Sequence, residues 1–296
     1  MISYLQAVVI GLLQGVSELF PISSLGHSVI LPKLVGWDIH QGDSSFLVFL
    51  VATHTATALV LLGFFWDDWK RIVKGMGRSL AQREIRADDP DSKVGWLLLV
   101  GTIPAGVLGL LFEEQLRGIF NSALSAAIFL IFNGLMLYGA EFLRRKAPVF
   151  ADSGTIHSGE NSEAPDARIA RMSWGKAVFI GSAQAIALIP GFSRSGAAMS
   201  GGLLAGLSNE DAARFGFLLA TPIIGAASLL KLPELFMPQN QGLLGPCLVG
   251  AACSAVSAYL AVRFLMRFFE TNRLTPFALY CIVAGVVFSS LIWAKH

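Results

Sequence analysis

The sequence predicts an all-α polytopic membrane protein, with six transmembrane helices and two re-entrant helical hairpins arranged as an inverted repeat. Three observations predict this fold class. Hydrophobic residues make up 54% of the 296 residues and charged residues only 14%, against about 25% charged in ordinary soluble domains, and the mean hydropathy is +0.63. Apolar runs long enough to cross a bilayer recur along the chain. Two further apolar stretches are each interrupted near the middle by proline and small polar residues.

The six uninterrupted apolar runs are interpreted as full transmembrane helices. Each has roughly the 20 residues that a helix needs to cross the hydrocarbon core. The predicted spans are 46–66, 94–112, 122–141, 212–232, 243–265 and 275–294.

The interrupted stretches, 2–36 and 174–208, differ from these spans. Each is too long for one crossing, and its two arms are short for two crossings. "FPISSLGHS" interrupts the first stretch and "IPGFSRSG" interrupts the second. Irregular backbone at membrane depth is tolerated where it is buried in protein or lines a polar cavity. Each stretch is therefore predicted to enter the membrane, turn inside it and leave by the same face.

The placement of Lys and Arg supports these hairpins. If both stretches are hairpins, most of the 22 basic residues collect on one face, which carries the loops 67–93, 142–173, 209–211 and 266–274. Treating the second stretch as a single crossing would put Arg267 and Arg273 on the opposite side. Because basic loops face the cytoplasm, this face is predicted to be inside, with both termini outside.

The chain is predicted to be a single membrane domain made of two repeat halves, 1–147 and 168–296, joined by the polar loop 148–167. A shift of 170 residues aligns Ser23 with Ser193 and superimposes the two interruptions. Three spans separate the hairpins, and because that number is odd the second half is inverted relative to the first. Hairpins entering from opposite faces would meet near the midplane, as in many transporters.

Polar side chains at the two interruptions are the candidate functional residues, because a charge inside the membrane costs at least ~2.5 kcal/mol. Those of the first are Gln14, Glu18, Ser23, Ser24 and His27, and those of the second are Gln184, Ser193, Arg194 and Ser195. An arginine that opens a helix between two serines suits an oxyanion, because its guanidinium binds phosphate bidentately and the helix N-terminus adds free N–H donors. The second interruption is thus predicted to hold a phosphate, and the first to supply acid–base or metal chemistry.

Each of these residues also has a structural interpretation. Arg194 could be a counter-ion for Glu18, and the serines could cap helices. His27 alone would more often be a packing histidine. His54, inside the first full span, could line the same cavity or bond a backbone carbonyl. The co-occurrence of acid, histidine, arginine and serines at two matched interruptions favours a functional site.

At these residues the chain resembles a known family, the bacterial undecaprenyl pyrophosphate phosphatases linked to bacitracin resistance. "QGVSELFPISSLGH" (14–27) is similar to the family motif Glu/Gln-Gly-x-x-Glu followed by Pro-x-Ser-Ser-x-Gly-His, and "PGFSRSG" (190–196) to Pro-Gly-x-Ser-Arg-Ser-Gly. The resemblance covers essentially the whole chain. It implies removal of the terminal phosphate from the C55 isoprenoid diphosphate that carries cell-wall precursors, in the bacterial cytoplasmic (inner) membrane.

The resemblance also implies roles for individual residues. Catalysis would rest on Glu18, Ser24, His27 and Arg194, and phosphate binding on Ser23, Ser193, Arg194, Ser195 and Gly196; Gln14, His54 and Gln184 are secondary candidates. The nucleophile is either Ser24, activated by His27 or Glu18, or a water activated by the same pair.

A divalent cation, Mg²⁺ or Ca²⁺, is implied as a bridge between Glu18 and the phosphate oxygens. Two departures from the family pattern bear on this. Gln14 stands where many members have Glu, so a metal would be held more weakly or differently. Ala198 replaces a common threonine, which removes one phosphate contact.

The expected partners are the polyprenyl diphosphate lipid and the membrane, with no nucleic acid, and a homodimer is left open. The alternative function is a lipid-phosphate flippase or small-anion transporter, since transporters share the inverted-repeat architecture. Glu18 and His27 discriminate between the two, because a carrier of an anion has little use for an acid–base pair beside its arginine.

Overall fold

The computed structural model describes residues 2–39, 43–119, 122–146 and 165–294, and only the backbone of 112–119, 165, 239 and 241. Within these ranges every regular element is helical and no strand occurs, so the predicted all-α class is confirmed. The α-helices, in chain order, are α1 Tyr4–Leu19, α2 Ser24–Val35, α3 Ser44–Phe64, α4 Trp66–Gln82, α5 Pro90–Ile119, α6 Ala123–Lys146, α7 Pro165–Ala170, α8 Trp174–Gln184, α9 Arg194–Leu204, α10 Asn209–Lys231, α11 Leu244–Thr271 and α12 Thr275–Trp293.

Among the described residues, six helical segments are long and apolar enough to cross a bilayer, and they coincide with the six predicted spans. The chain is therefore a multi-pass membrane protein. The segments are Ser44–Phe64, Pro90–Leu111, Ala123–Lys146, Asn209–Phe236, Leu244–Thr271 and Thr275–Trp293.

The two interrupted stretches are the helix pairs α1–α2 and α8–α9. Their helices have 16, 12, 11 and 11 residues, which is short for a membrane crossing of about 20. A 3₁₀ turn at Ala185–Leu188 extends the first arm of the second pair. These lengths agree with two hairpins, and their re-entry from one membrane face stays a prediction.

The first arm of each pair packs against a helix of the other predicted half, α1 on α11 and α8 on α5. Both contacts are close because glycine backbones meet there: a Cβ at Gly11 would collide with Gly250, and a Cβ at Gly181 would collide with Gly101. Small residues allow such close approach between membrane helices. Each predicted half thus packs its first hairpin arm against a helix of the other half, as an inverted repeat would. The repeat boundaries stay predictions.

The loops that join the spans depart from the sequence expectation in one place. The predicted loop 67–93 contains α4, a 17-residue helix. It buries Ile72, Gly75 and Ser79 along one face, a spacing of three to four residues that makes an amphipathic helix. The linker 148–167 falls mostly on residues outside those described, and α7 begins within it at Pro165.

Candidate active site

The break after α1 places a hydroxyl against a carboxylate. Ser23 caps α2 by accepting a hydrogen bond from the Gly26 amide at 3.1 Å, so Ser24 becomes the first residue of the helix. Its Oγ donates to Glu18 Oε2 at 2.5 Å. Glu18 is buried in the last turn of α1. The chain reversal therefore brings two polar groups, six residues apart in sequence, into direct contact.

The Glu18 carboxylate is the centre of a four-helix cluster. Besides Ser24, its Oε2 accepts from Gln14 Nε2 at 3.1 Å and lies 3.2 Å from His54 Nε2 on α3. Its Oε1 accepts from Arg194 on α9, from Nε at 3.2 Å and from Nη2 at 2.9 Å. An ionised carboxylate is an acceptor only, so these donors stabilise the charge where water is largely excluded.

The second break positions Arg194 as the first break positions Ser24, at the start of a helix that a serine caps. Ser193 caps α9 by accepting from the Gly196 amide at 3.1 Å, and Arg194 opens the helix. Two of the three guanidinium nitrogens contact Glu18, while Nη1 is buried without a hydrogen-bond partner. Buried polar groups are rarely left unpaired. The free Nη1 therefore marks a donor that a ligand can satisfy.

The two breaks contact each other directly. Ser195 Oγ donates to the carbonyl of Phe20 at 3.2 Å. Asn133 on α6 bridges both chains: its Nδ2 donates to the Pro21 carbonyl at 2.9 Å, and its Oδ1 accepts from the Ser193 amide at 2.9 Å. The sequence analysis did not single out Asn133. The signal was present, because an asparagine inside an apolar span carries the same cost argument as the other polar residues.

His27 lies beside this cluster, with both ring nitrogens engaged elsewhere. Nδ1 is 2.7 Å from the Ser23 carbonyl, and Nε2 is 2.9 Å from the Tyr280 hydroxyl on α12. A carbonyl only accepts, so Nδ1 carries the proton and Nε2 accepts from Tyr280. The tyrosine ring stacks on the imidazole at 5.9 Å. Nothing in the sequence pattern pointed to Tyr280, which lies 253 residues from its partner.

The remaining predicted residues have separate positions. Gln184 is buried, with Nε2 3.5 Å from the Gly101 carbonyl and Oε1 unpartnered, away from the Glu18 contacts. Ser23, Ser193 and the Gly196 amide are all used in helix caps, as the structural interpretation of the serines expected. The structure thus brings together Glu18, Ser24, Gln14, Arg194 and His54.

A metal site of three or more His, Cys, Asp or Glu side chains does not occur among the residues that the structure describes. Glu18 is the one carboxylate that these contacts bring into the cluster. Gln14 Oε1 is buried beside it without a donor. Mg²⁺ typically takes one or two protein oxygens and completes its shell with water and substrate phosphate. Because Gln14 turns its Nε2 to Glu18, the oxygens of Glu18 and Gln14 would face one cation, shared with a bound phosphate, once the Gln14 amide turns over.

Comparison with known proteins gives the family. Residues 7–287 match the family described as "Bacitracin resistance protein BacA". Proteins named undecaprenyl-diphosphatase from Mycolicibacterium paratuberculosis and Mycobacterium avium are each 50% identical over 301 residues, covering 99% of this chain and 97% of theirs. "Undecaprenyl-diphosphatase 2" from Frankia alni is 40% identical, covering 97% of both chains. The chain therefore belongs to the bacitracin resistance protein BacA family.

Proposed function

We propose that this protein is an undecaprenyl-diphosphatase, a membrane hydrolase that converts undecaprenyl diphosphate to undecaprenyl phosphate and inorganic phosphate, so that the carrier lipid can be reused in cell-wall synthesis. The observation that carries the proposal is the contact of Ser24 and Arg194 with the two oxygens of Glu18. The proposed nucleophile Ser24, the proposed base Glu18 and the guanidinium of Arg194, proposed to bind phosphate, are in contact there. Relatives that carry this enzyme's name support the substrate.

Arg194 is proposed to bind the terminal phosphate. Its unpartnered Nη1 is a donor already in place, and the guanidinium can turn its remaining N–H groups from Glu18 to the incoming oxyanion. The phosphate then lies at the N-terminus of α9, where the helix dipole favours negative charge. When the guanidinium turns to the phosphate, Glu18 Oε1 loses its hydrogen bonds from Arg194. Substrate binding thereby makes the carboxylate a stronger base.

Ser24 is proposed to be the nucleophile because its Oγ already donates to a carboxylate oxygen. Ser24 Oγ attacks the terminal phosphorus as its proton passes to Glu18. The bond from that phosphorus to the bridging oxygen breaks, and the electron pair leaves with the lipid monophosphate. Water then attacks the phosphoserine, and Ser24 regains its proton from Glu18 as inorganic phosphate leaves. The alternative is direct attack by a water that Glu18 activates.

His27 stays a proposed acid–base residue. Its Nε2 is the basic nitrogen, and it accepts from Tyr280. The substrate would meet His27 through that hydroxyl or by replacing it. A divalent cation, Mg²⁺ or Ca²⁺, would be held by Glu18 and Gln14 Oε1 and would neutralise phosphate charge. The serines of the second break keep its backbone in the conformation that presents Arg194.

The proposed location is the bacterial cytoplasmic membrane, with the basic loops inside and both termini outside. A cysteine introduced at Glu84, just after α4, should react with a membrane-impermeant maleimide only after the cells are opened. Labelling in intact cells would overturn this orientation.

The test of the function is phosphate release by the purified protein from a polyprenyl diphosphate in detergent, with and without a chelator. We expect release that the chelator suppresses and that added Mg²⁺ or Ca²⁺ restores. A flippase or anion transporter would bind the lipid and release no phosphate. Lipid binding without any release would therefore overturn the proposal in favour of that alternative.

A further inference from the structure

His54 occupies a place in the cluster that the proposed reaction leaves unexplained. It lies on α3, and its side chain is 26% exposed, whereas Glu18 is 6% exposed. Its Nδ1 is 2.7 Å from the carbonyl of Leu50, one turn earlier on the same helix. This contact fixes the ring orientation. Nε2 then points away from α3, to Glu18 Oε2 at 3.2 Å on α1. Because a carbonyl and a carboxylate both only accept, each ring nitrogen carries a proton, and His54 is an imidazolium.

The oxygen that His54 contacts is the one that faces the nucleophile. Glu18 Oε2 receives Ser24 Oγ at 2.5 Å, and Oε1 receives the guanidinium of Arg194. When the guanidinium turns to a phosphate, Oε1 loses its donors. Among the protein's own groups, the carboxylate is then held only at Oε2, by Ser24, Gln14 and His54. Of these three, His54 is the donor that is attached to neither hairpin.

The neighbouring polar residues of α3 do not share this contact. Thr55 Oγ1 donates to the Val51 carbonyl at 2.7 Å and lies 2.9 Å from Ser228 Oγ on α10, from which it accepts. The Thr57 hydroxyl lies 3.1 Å from Ser254 Oγ on α11. These residues join spans to each other. His54 also pairs its Nδ1 with a carbonyl of its own helix. Its Nε2, however, contacts Glu18, the proposed base.

We propose that His54 is a positioning residue for the reaction: its Nε2–H holds Glu18 Oε2 against Ser24 while Arg194 is engaged by the substrate phosphate. The inference rests on the proposed function and deepens it. It assigns to α3, a full span outside both motifs, a direct part in orienting the base. Groups that orient a reacting carboxylate contribute to turnover because a small displacement from the attacking geometry is costly.

Two amide substitutions separate the two edges of the ring. The side-chain nitrogen of Gln reaches approximately the position of Nε2, so His54→Gln keeps a donor to Glu18 and gives up the contact with Leu50. The side-chain nitrogen of Asn corresponds to Nδ1, so His54→Asn keeps the backbone contact and gives up Glu18. Thr55→Val is the matched control, because it removes a contact between α3 and α10 from the residue next to His54.

We expect His54→Asn to lower kcat for phosphate release about 10- to 100-fold with little change in KM, as is usual when a group that orients a catalytic side chain is lost. His54→Gln restores the hydrogen bond but not the positive charge of the imidazolium, so it should recover part of that loss, and Thr55→Val should resemble the wild type. Equal activity of the Asn and Gln variants, or a change in KM rather than kcat, would overturn the proposal.

A second measurement does not depend on turnover. The carboxylate stretching band of Glu18, identified in infrared spectra by its loss in Glu18→Gln, should shift in His54→Asn and shift less in His54→Gln, which keeps a hydrogen bond to Glu18 and lacks the charge. If the wild type released no phosphate, the proposed function would fail, and this band would still report whether His54 holds Glu18. An unshifted band in His54→Asn would refute the contact itself.

Discussion

The breaks that follow α1 and α8 cap the next helix in the same way but bring together side chains of opposite charge. In each, a serine caps the next helix by accepting from the amide of a glycine three residues later, Ser23 from Gly26 and Ser193 from Gly196, both at 3.1 Å. The helix that begins after the first cap presents Ser24, next to the Glu18 carboxylate. The helix that begins after the second presents a guanidinium. Two similarly capped helix N-termini therefore meet at one junction, where the first carries a hydroxyl beside a carboxylate and the second carries a guanidinium.

The breaks also differ in how the chain turns. The second uses Gly191 at φ 106°, where an added Cβ would meet the Phe129 side chain at 2.6 Å, so that only glycine fits. The first uses Ser23 at φ 69°, a left-handed conformation that is unfavourable for residues with a side chain. Strained backbone of this kind concentrates at functional sites. The first break, which holds the proposed nucleophile, is thus the strained one.

The largest effect on phosphate release is expected from replacing Arg194, the charged residue of the second break. Arg194→Ala should lower kcat/KM for phosphate release by about 10³-fold or more, as when an arginine that stabilises phosphoryl transfer is removed. Arg194→Lys keeps the charge but not the planar fork and should stay well below wild type. Steady-state kinetics on both variants measures this. Near-full activity of the Lys variant would contradict bidentate binding.

The next effect is expected at the hydroxyl of the first break. Ser24→Ala should reduce kcat by about 10²- to 10⁴-fold, because it removes the group that forms the covalent bond and leaves only positioning and charge. Mass spectrometry of acid-quenched wild type should find phosphate on Ser24. If Ser24→Ala kept activity within a few-fold of wild type, a water would be the nucleophile, and the first break would contribute only its carboxylate.

The smallest effect concerns the strained serine and is a matter of stability. Ser23→Gly relieves the left-handed strain and, as a glycine cap, costs only a few tenths of a kcal/mol. Its melting temperature should therefore match or exceed that of wild type. Ser23→Ala keeps the strain and loses the cap, so it should lower the free energy of unfolding by about 1 kcal/mol. Thermal unfolding in detergent distinguishes the two, and a Ser23→Gly variant that melts well below wild type would show that φ at Ser23 carries no cost.

The sequence was sufficient for the six spans, because long apolar runs depend on local composition alone. It also supplied the motifs that hold Glu18, Ser24 and Arg194. It could not rank His54 above His27, because the choice depends on which face α3 turns toward α1. The partner of His27, Tyr280, depends on how α12 packs against α2. The amphipathic α4 was missed because its charged residues were interpreted as a loop.

Asn133 has a consequence for movement. Its amide donates to the backbone of the first break and accepts from the backbone of the second, and each polar group left unpaired in the interior costs about 1–3 kcal/mol. A carrier that rocks its halves apart would have to break this bridge, together with the bond from Ser195 to Phe20, on every cycle. The junction is built to stay closed at the centre of the protein. A lipid diphosphate would therefore react beside a junction that does not open, rather than cross the membrane between two separating halves.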